Sequence, residues 1–334
     1  MEIAKPYLLF VGDAHDTLAA KTAFGLRDWR PEWCIGQLRL PGCKVTLDLP
    51  DLTPAAAVAM GARTMVLGLA NAGGVVNPAW VPTIVAAIEA GMDVASGLHT
   101  WLDSVPAIAA AAAAHGRSLH DVRRPRQRFA TGKGVRRRGR RLLTVGTDCS
   151  IGKNYAALSI EREMRRRGLD VDYRATGQTG ILIAERGVPL DAVAADFVSG
   201  AVEWLAPENA DDHWDIIEGQ ATLFHPSYAG LTLGLIHGAQ PDAFVVCHEP
   251  GRPTMRGVVF PLPSIDAVID AVTFAGRLTS PDIQCVGLSL NTSSLPEAEA
   301  RRYLAELADR YVVPAVDPMR FDCGAIVDEM QRRF

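Results

Sequence analysis

The chain has 334 residues, of which 48% are hydrophobic and 22% charged, a composition that excludes a disordered protein and a length that favours two domains. A formal net charge of −4 and a pI near 6.1 give no general attraction to nucleic acid or to anionic membranes, and no apolar run is long enough to span a bilayer. We therefore expect neither nucleic-acid nor membrane partners.

The six cysteines are scattered and form no Cys-x-x-Cys pair. Such spacing argues against a zinc ribbon or a disulfide framework. The first residues also lack the charged and apolar regions of a signal peptide. These features predict a protein of the reducing cytoplasm.

Strands and helices alternate through the first part of the sequence. Predicted strands lie at 7–11, 44–49, 64–70 and 92–95, and predicted helices at 19–26, 54–60, 80–90 and 104–115. This alternation predicts a doubly wound α/β domain with a parallel sheet. Ligands of such folds bind beyond the carboxyl ends of the strands.

A basic segment follows. Residues 117–141 are rich in Arg and Lys and contain one acid, Asp121. We interpret residues 126–140 as a linker between a first domain at 1–125 and a second at 141–334. Its arginines either form a solvated connector or help to hold an anionic ligand. One basic strip without interleaved aromatic residues does not indicate nucleic-acid binding.

The second domain opens with the most informative stretch. Leu142–Val145 predicts a buried strand, and a helical period begins at Tyr155. A strand, a glycine loop ending in Gly-Lys and a helix together predict a phosphate-binding loop, in which backbone N–H groups and Lys153 point at an anion. The predicted cofactor-binding residues are Gly146, Thr147, Asp148, Cys149, Ser150, Ile151, Gly152, Lys153 and Asn154.

Two positions depart from the usual pattern of Gly, four residues, Gly-Lys and then Ser or Thr. Thr147 replaces the first glycine, with Gly146 one residue earlier, and Asn154 replaces the hydroxyl that holds Mg²⁺. The Gly-Thr-Asp-x-x-x-Gly-Lys form resembles the loop of dethiobiotin synthetase, so the first departure is compatible with a phosphate site. The second argues against ordinary Mg·ATP chemistry.

The later strands end in polar side chains. These strands are predicted at 169–174, 214–220, 242–248, 284–291 and 311–316, with a helix at 297–308. Glu218 lies where phosphate-loop proteins carry an acid, and the alternative is that it caps a turn. We predict no firm metal site, and Asp148 and Glu218 are the candidate ligands if Mg²⁺ binds.

Several of these polar residues suit proton transfer or anion binding. An arginine can grip a carboxylate or phosphate with two hydrogen bonds, and a neutral histidine can take a proton from an amine or can simply be a hydrogen-bonded scaffold. Cys149 is either an acyl-carrying thiol or a small residue that suits the loop. The predicted catalytic residues are His248, Glu218, Arg174 and Arg252. The predicted substrate-binding residues are Thr176, Gln178, Thr179, Gln220 and Glu249, and Asn291 joins the cofactor-binding set.

The chain resembles a family first known only as one of unknown function, with an N-terminal Rossmann-like half and a C-terminal phosphate-loop half. The resemblance covers nearly the whole chain and rests on motifs at 12–14, 39–42, 70–74, 146–153, 174–180, 217–220, 247–252, 255–257 and 291–293. It implies two doubly wound parallel-sheet domains, Rossmann-like and P-loop NTPase-like. It also implies D-glutamate N-acetyltransferase (DgcN) activity, with acetyl-CoA as co-substrate.

In this interpretation the loop holds the phosphates of coenzyme A and hydrolyses nothing, which fits Asn154. Arg174 or Arg252 would hold a glutamate carboxylate, and His248 or Glu218 would be the base. The alternatives are an ATP- and Mg²⁺-dependent ligase or kinase resembling dethiobiotin synthetase and a non-catalytic nucleotide or acyl-CoA sensor. We expect an acidic amino acid as the acceptor and a homo-oligomeric protein.

Overall fold

The computed structural model describes residues 2–334. The chain divides into two compact units, the first comprising Met1–Arg126 and Gly177–Ala192 and the second Gln127–Thr176 and Val193–Phe334. The sequence prediction placed residues 177–192 in the second domain, whereas the structure groups them with the first. Over the described residues, the helices are all too short or too polar to cross a bilayer.

The first unit contains a five-stranded parallel sheet with the strand order β2-β1-β3-β4-β5. Its strands are β1 (Tyr7–Gly12), β2 (Cys34–Arg39), β3 (Thr64–Leu67), β4 (Asp93–Ser96) and β5 (Leu119–Asp121). Its helices before residue 126 are α1 (Lys21–Trp29), α2 (Pro54–Ala59), α3 (Val81–Glu89) and α4 (Pro106–His115). Every residue of β1 is buried, as expected of a parallel sheet covered on both faces. The predicted doubly wound fold is confirmed.

One predicted strand of this unit is wrong. Residues 44–49 form no strand, and the edge strand is β2, which the sequence pattern did not reveal. A glycine and a glutamine inside β2 weaken the strand signal, but Gln37 is buried because the 44–49 segment satisfies its side chain. The amide makes three hydrogen bonds, from Nε2 to Thr46 Oγ1 (3.1 Å) and Leu49 O (3.0 Å) and from Leu47 N to Oε1 (2.7 Å).

The second unit contains a six-stranded parallel sheet in the order β11-β10-β9-β6-β8-β7. Its strands are β6 (Arg140–Gly146), β7 (Val171–Arg174), β8 (Trp214–Ile217), β9 (Ala243–His248), β10 (Gln284–Leu290) and β11 (Ala315–Val316). The remaining helices are α5 (Lys153–Arg166), α6 (Gln178–Ala184, grouped with the first unit), α7 (Val198–Leu205), α8 (Ala229–Ala239), α9 (Ile265–Gly276), α10 (Glu297–Tyr311) and α11 (Gly324–Arg333).

The last predicted strand begins too early. Residues 311–316 were predicted as one strand, but α10 continues to Tyr311 and β11 holds two residues. Val312 ends the helix in the left-handed conformation, with φ of +55°. The β-branched and aromatic residues at 311–313 therefore form a helix end instead of a strand.

The basic segment contributes to the second unit's own packing. Arg141 is fully buried, and Arg136, Arg137 and Arg141 donate hydrogen bonds to the carbonyl groups that end α8. Cations are favourable at a helix C-terminus, where the carbonyl groups lack partners. These three arginines therefore stabilise the fold of the second unit, and the alternative that arginines of this segment hold an anionic ligand stays a prediction.

Candidate functional site

The predicted phosphate loop lies between β6 and α5. The strand ends at Gly146 and α5 begins at Lys153, with Gly152 as its N-cap in a left-handed conformation (φ +106°). Ser150 is also left-handed, with φ of +53°, which is uncommon for a residue with a side chain. Such turns direct successive N–H groups into one concavity, and the helix N-terminus adds positive potential there.

Two glycines let the strand ends approach one another closely. A Cβ on Gly219 would lie 1.6 Å from the carbonyl oxygen of Thr144, and a Cβ on Gly146 would lie 2.7 Å from that of Cys247. Gly219 N also donates to Thr144 Oγ1 at 2.9 Å. Glycine at 219 therefore holds the tip of β8 directly against β6, beside the loop.

Lys153 points into the loop and is 6% exposed. Its Nζ donates to the carbonyl oxygen of Asp148 at 2.6 Å, which leaves further ammonium donors for an incoming anion. Burial lowers the pKa of Lys153, and the nearby sulfur and carboxylate groups oppose that effect. An anion bound in the loop would favour the charged ammonium still more.

The β8 flank of the loop, which we define as Asn154, Tyr173, Thr176 and Glu218, forms one hydrogen-bonded network. Glu218 is 4% exposed, and its carboxylate accepts three hydrogen bonds. The donors are Asn154 Nδ2 (2.8 Å), Tyr173 Oη (3.0 Å) and Thr176 N (2.9 Å). The residue at the Mg²⁺-hydroxyl position and the acid at the strand tip thus bond directly to each other.

The β9 flank, which we define as Asp148, Ser150, Arg252 and Arg256, is ionic. Asp148 is fully buried, and its Oδ2 accepts from Arg252 Nη1 and from Arg256 N, both at 2.8 Å. Arg252 also donates to the loop carbonyl oxygens of Cys149 (2.9 Å) and Ser150 (3.2 Å), and it pairs with Glu249. Asp148 and Glu218, the candidate ligands if Mg²⁺ binds, therefore belong to different networks.

Both terminal nitrogens of Arg252 are used in bonds that brace the loop. Its predicted role as the group that holds a substrate carboxylate is therefore not supported by the geometry. Arg256 was missed as a site residue, although the motif at 255–257 includes it. Its Nη1 donates to Ser150 Oγ at 2.7 Å, and His225 Nε2 lies 3.0 Å from its carbonyl oxygen.

His248 lies at the tip of β9 beside the loop. Its Nδ1 is 3.0 Å from Thr147 Oγ1, and no partner of its Nε2 occurs within residues 2–334. Burial, and then the positive charge of Arg252, lower the pKa of His248 to about 4. The imidazole is therefore neutral at cellular pH, and its Nε2 can accept a proton in the tautomer whose Nδ1–H donates to Thr147 Oγ1.

Arg174 does not join either flank. Its Nε donates to Asp215 Oδ1 at 2.6 Å and its Nη2 lies 3.1 Å from Asp172 Oδ2, so the guanidinium is directed back along the sheet. Two carboxylates of the protein itself pair with that guanidinium, so this geometry does not support the prediction that Arg174 binds a ligand carboxylate.

The other predicted binding residues are divided between the units. Gln178 and Thr179 belong to the first unit, where both bond to Thr22 (3.3 and 3.1 Å). In the second unit, Gln220 Nε2 donates to Thr176 Oγ1 at 3.0 Å. Asn291 N donates to the carbonyl oxygen of His248 at 2.9 Å, which places Asn291 at the tip of β10 next to the predicted base.

Two groups of potential metal ligands occur among the described residues. One consists of Asp148, Cys149 and His225, with ligand atoms within 4.8 Å of one another, and the other of Asp172, His213 and Asp215. Both nitrogens of His225 bond to main-chain groups, the carbonyl of Arg256 and the N–H of Ser227, and Lys153 and Arg252 add positive charge. In this structure neither ring nitrogen of His225 is therefore free to bind a metal.

Comparison with known proteins agrees with this architecture. Residues 128–327 match the family described as a domain of unknown function (DUF1611_C), P-loop domain, and residues 38–125 match DUF1611_N, a Rossmann-like domain. The chain is 52% identical to a D-glutamate N-acetyltransferase of Tritonibacter scottomollicae and 49% identical to one of a Pseudoalteromonas species. Each match covers 98% of this chain and 99% of the relative. A crystal structure of a DUF1611 family protein from Anabaena variabilis is similar over 98% of this chain and all of that one, with a TM-score of 0.88 and 28% identity.

Proposed function

The chain belongs to the DUF1611 family, and from that premise we propose that it is an N-acetyltransferase that moves acetyl from acetyl-CoA to the amino group of D-glutamate. Two curated relatives of nearly the same length, about half identical in sequence, bear the name of that activity. The loop would hold coenzyme A through its phosphates, with Lys153 and the N-terminus of α5 as the main contacts.

The observation that carries this proposal is the 2.8 Å hydrogen bond between Asn154 and Glu218. In phosphate loops that transfer phosphoryl groups, a hydroxyl and an acid at these places hold Mg²⁺. Here the amide N–H of Asn154 donates directly to the carboxylate of Glu218. The loop can therefore bind the phosphates of a substrate without reacting with them. An acyl-CoA is such a substrate, because its reacting thioester is remote from its phosphates.

His248 is the base that this geometry supports. The ammonium group of an amino acid must lose a proton before its nitrogen attacks the thioester carbonyl. The neutral imidazole has an open Nε2 at the strand tip, and negative charge brought by the substrates would raise the pKa of His248 from about 4 toward the working range. Glu218, the other predicted base, already accepts three hydrogen bonds and instead positions Asn154 and Thr176.

The test is release of the coenzyme A thiol from acetyl-CoA by the full-length protein. The reactions contain D-glutamate, L-glutamate or no amino acid, each with and without EDTA. We expect release that depends on D-glutamate and is unchanged by EDTA, with N-acetylglutamate as the product by mass spectrometry. No thiol release with any acidic amino acid would refute the proposed activity.

A matched variant tests the proposed loop contact. Lys153→Ala removes the only ammonium group in the loop, and a hydrogen bond to a charged partner is worth about 1.5–3 kcal/mol. We expect the Kd for coenzyme A to rise roughly tenfold to a hundredfold. Lys133→Ala, an exposed residue of the basic segment, is the control and should bind as the wild type does.

The ATP-dependent ligase or kinase is the alternative outcome. A turned Asn154 amide would place Oδ1 beside Glu218, and a Mg²⁺ ion between the two oxygens would then have two ligands. Mg²⁺-dependent production of ADP in the presence of D-glutamate, without thiol release from acetyl-CoA, would favour this reading of the site.

A further inference from the structure

We propose that Arg256 is the arginine that binds a phosphate group of the acyl-CoA at the loop, whereas Arg252 only braces the loop. This inference rests on the proposed function, because it assigns a further residue to the same site. The two arginines lie four positions apart after β9, and the structure gives them different bonds.

Arg252 has no capacity left for a ligand at its terminal nitrogens. These donate to the Asp148 carboxylate, to two loop carbonyl oxygens and to Glu249. Arg256 instead uses one side-chain nitrogen, Nη1, on Ser150 Oγ. Within residues 2–334, its Nε and Nη2 have no hydrogen-bond partner. A guanidinium presents its donors in one plane, so the unused edge suits an oxyanion.

The main chain of Arg256 is fixed on both sides, which places this side chain beside the loop. Its N–H donates to Asp148 Oδ2 at 2.8 Å, and its carbonyl oxygen lies 3.0 Å from His225 Nε2. His225 is 2% exposed and stacks on Tyr228 with ring centroids 4.5 Å apart. None of these contacts involves the guanidinium, so the backbone holds its position whatever the side chain does.

The formal charges around the loop also favour a role for Arg256 in anion binding. Asp148 and Glu249 both pair with Arg252 and leave these three groups one negative charge, so Arg256 and Lys153 together bring the net formal charge at the loop to +1. In phosphate loops with Mg²⁺, the metal neutralises part of the phosphate charge. At that position the β8 flank has the Asn154 amide, whose Nδ2 donates to Glu218, and Arg256 supplies positive charge from the other flank.

Isothermal titration of the full-length protein tests this assignment without turnover. The probes are coenzyme A, dephospho-CoA, inorganic pyrophosphate and D-glutamate. We expect Arg256→Gln to weaken coenzyme A binding roughly tenfold to a hundredfold, Arg256→Lys to weaken it less, and the control Arg277→Gln to leave it unchanged. Equal loss for coenzyme A and dephospho-CoA assigns the contact to the diphosphate, and loss confined to coenzyme A assigns it to the 3′-phosphate.

Steady-state kinetics separate this role from others. Arg256→Gln should raise the KM for acetyl-CoA and leave the KM for D-glutamate and the melting temperature unchanged. A rise confined to the KM for D-glutamate would make Arg256 a carboxylate-binding residue and overturn the proposal, as would an unchanged Kd for coenzyme A. If wild-type protein transfers no acetyl group but coenzyme A binding still depends on Arg256, the proposed function fails and this inference stands.

Discussion

The two flanks of the phosphate loop differ in the hydrogen-bonding groups that they leave available to a ligand. The β8 flank turns inward, since Asn154, Tyr173 and Thr176 all donate to one buried carboxylate, Glu218. The β9 flank contains two arginines and one carboxylate, and within the described residues Arg256 uses only one side-chain nitrogen in a hydrogen bond. Its main-chain N–H donates to Asp148, which holds Arg256 beside the loop. Strands β8 and β9 lie on either side of β6. The loop after β6 therefore has a hydrogen-bonded carboxylate on one side and an arginine with unused donors on the other.

This difference shows how a phosphate loop can serve a reaction that leaves the phosphates intact. A metal at the β8 flank would polarise a phosphoryl group for transfer. In this structure the Glu218 carboxylate accepts hydrogen bonds from Asn154, Tyr173 and Thr176, while arginine on the other flank still attracts an anion. In our proposal, the loop thus binds the substrate tightly and the acyl chemistry takes place at His248.

The largest expected effect comes from breaking the contact between strand tips that positions the β8 flank. Gly219→Ala would place a methyl group 1.6 Å from the Thr144 carbonyl oxygen, so the tip of β8 must move and the bonds of Glu218 must break. We expect a loss of about 4 kcal/mol in the free energy of unfolding, measured by chemical denaturation.

The matched control for this change is Gly230→Ala. Gly230 lies in α8, and a Cβ there would meet no atom within 4 Å. Alanine is the better helix former, so stability should rise by about 0.5–1 kcal/mol. Equal stability of the two variants would show that the close approach at Gly219 does not hold the flank together.

A smaller effect, which tests the comparison most directly, is expected from Asn154→Asp. This change sets a second carboxylate against Glu218 in place of the amide that now lies 2.8 Å from it. Without a cation, two adjacent buried carboxylates should cost about 3 kcal/mol of stability, and Mg²⁺ should restore most of that loss. Thermal unfolding with Mg²⁺ or EDTA measures both effects.

The wild-type protein should melt at the same temperature with Mg²⁺ as with EDTA. Asn77→Asp is the control, because Asn77 accepts a hydrogen bond from Ala79 N through an oxygen that a carboxylate also provides. A wild-type melting temperature that rises with Mg²⁺ would mean that the β8 flank is a metal site, and the contrast between the flanks would be lost.

Local sequence pattern was sufficient to predict the elements that carry the loop. The apolar run of β6, the glycines and the period of α5 all lie within a few dozen residues, and each follows from local preferences. Strand β2 was not predicted, because its buried Gln37 forms hydrogen bonds with main-chain and hydroxyl groups about ten residues further along the chain. Sequence periodicity carries no signal for such a bond.

The sequence indicated which types of residue form the site, but not which of their side chains pair with each other. Arg174 and Arg252 were both expected to hold a ligand, and both are used by carboxylates of the chain itself. Their partners, Asp215 and Asp148, lie 41 and 104 residues away, so only the folded sheet shows which arginines are occupied. Arg256 was also overlooked, because the sequence does not show that most of its side-chain donors lack a partner within the described part of the chain.

The smallest of these effects concerns pH and the β9 strand tip. The pKa of His248 is lowered to about 4 in the folded protein, against 6.5 for an ordinary histidine. As pH falls below 6.5 the unfolded chain takes up a proton that the folded protein resists, so stability is lost between pH 6.5 and 4 and the loss is complete below 4. We expect His248 to account for about 2 kcal/mol of the lost free energy of unfolding, after allowance for its partial exposure.

Denaturation of wild type and His248→Gln across this pH range isolates that contribution, since all other titrating groups are common to both proteins. The variant should lose less stability than wild type between pH 6.5 and 4, whereas His15→Gln, at an exposed position, should follow the wild-type curve. Saturating coenzyme A should narrow the difference, because bound phosphate beside the imidazole favours its protonated form and raises the pKa of His248. Identical curves for wild type and His248→Gln would mean that the imidazole is not held neutral by its surroundings. The tip of β9 would then lose its proposed base while the β9 flank keeps its arginines, and the acyl chemistry would have to be assigned to another group.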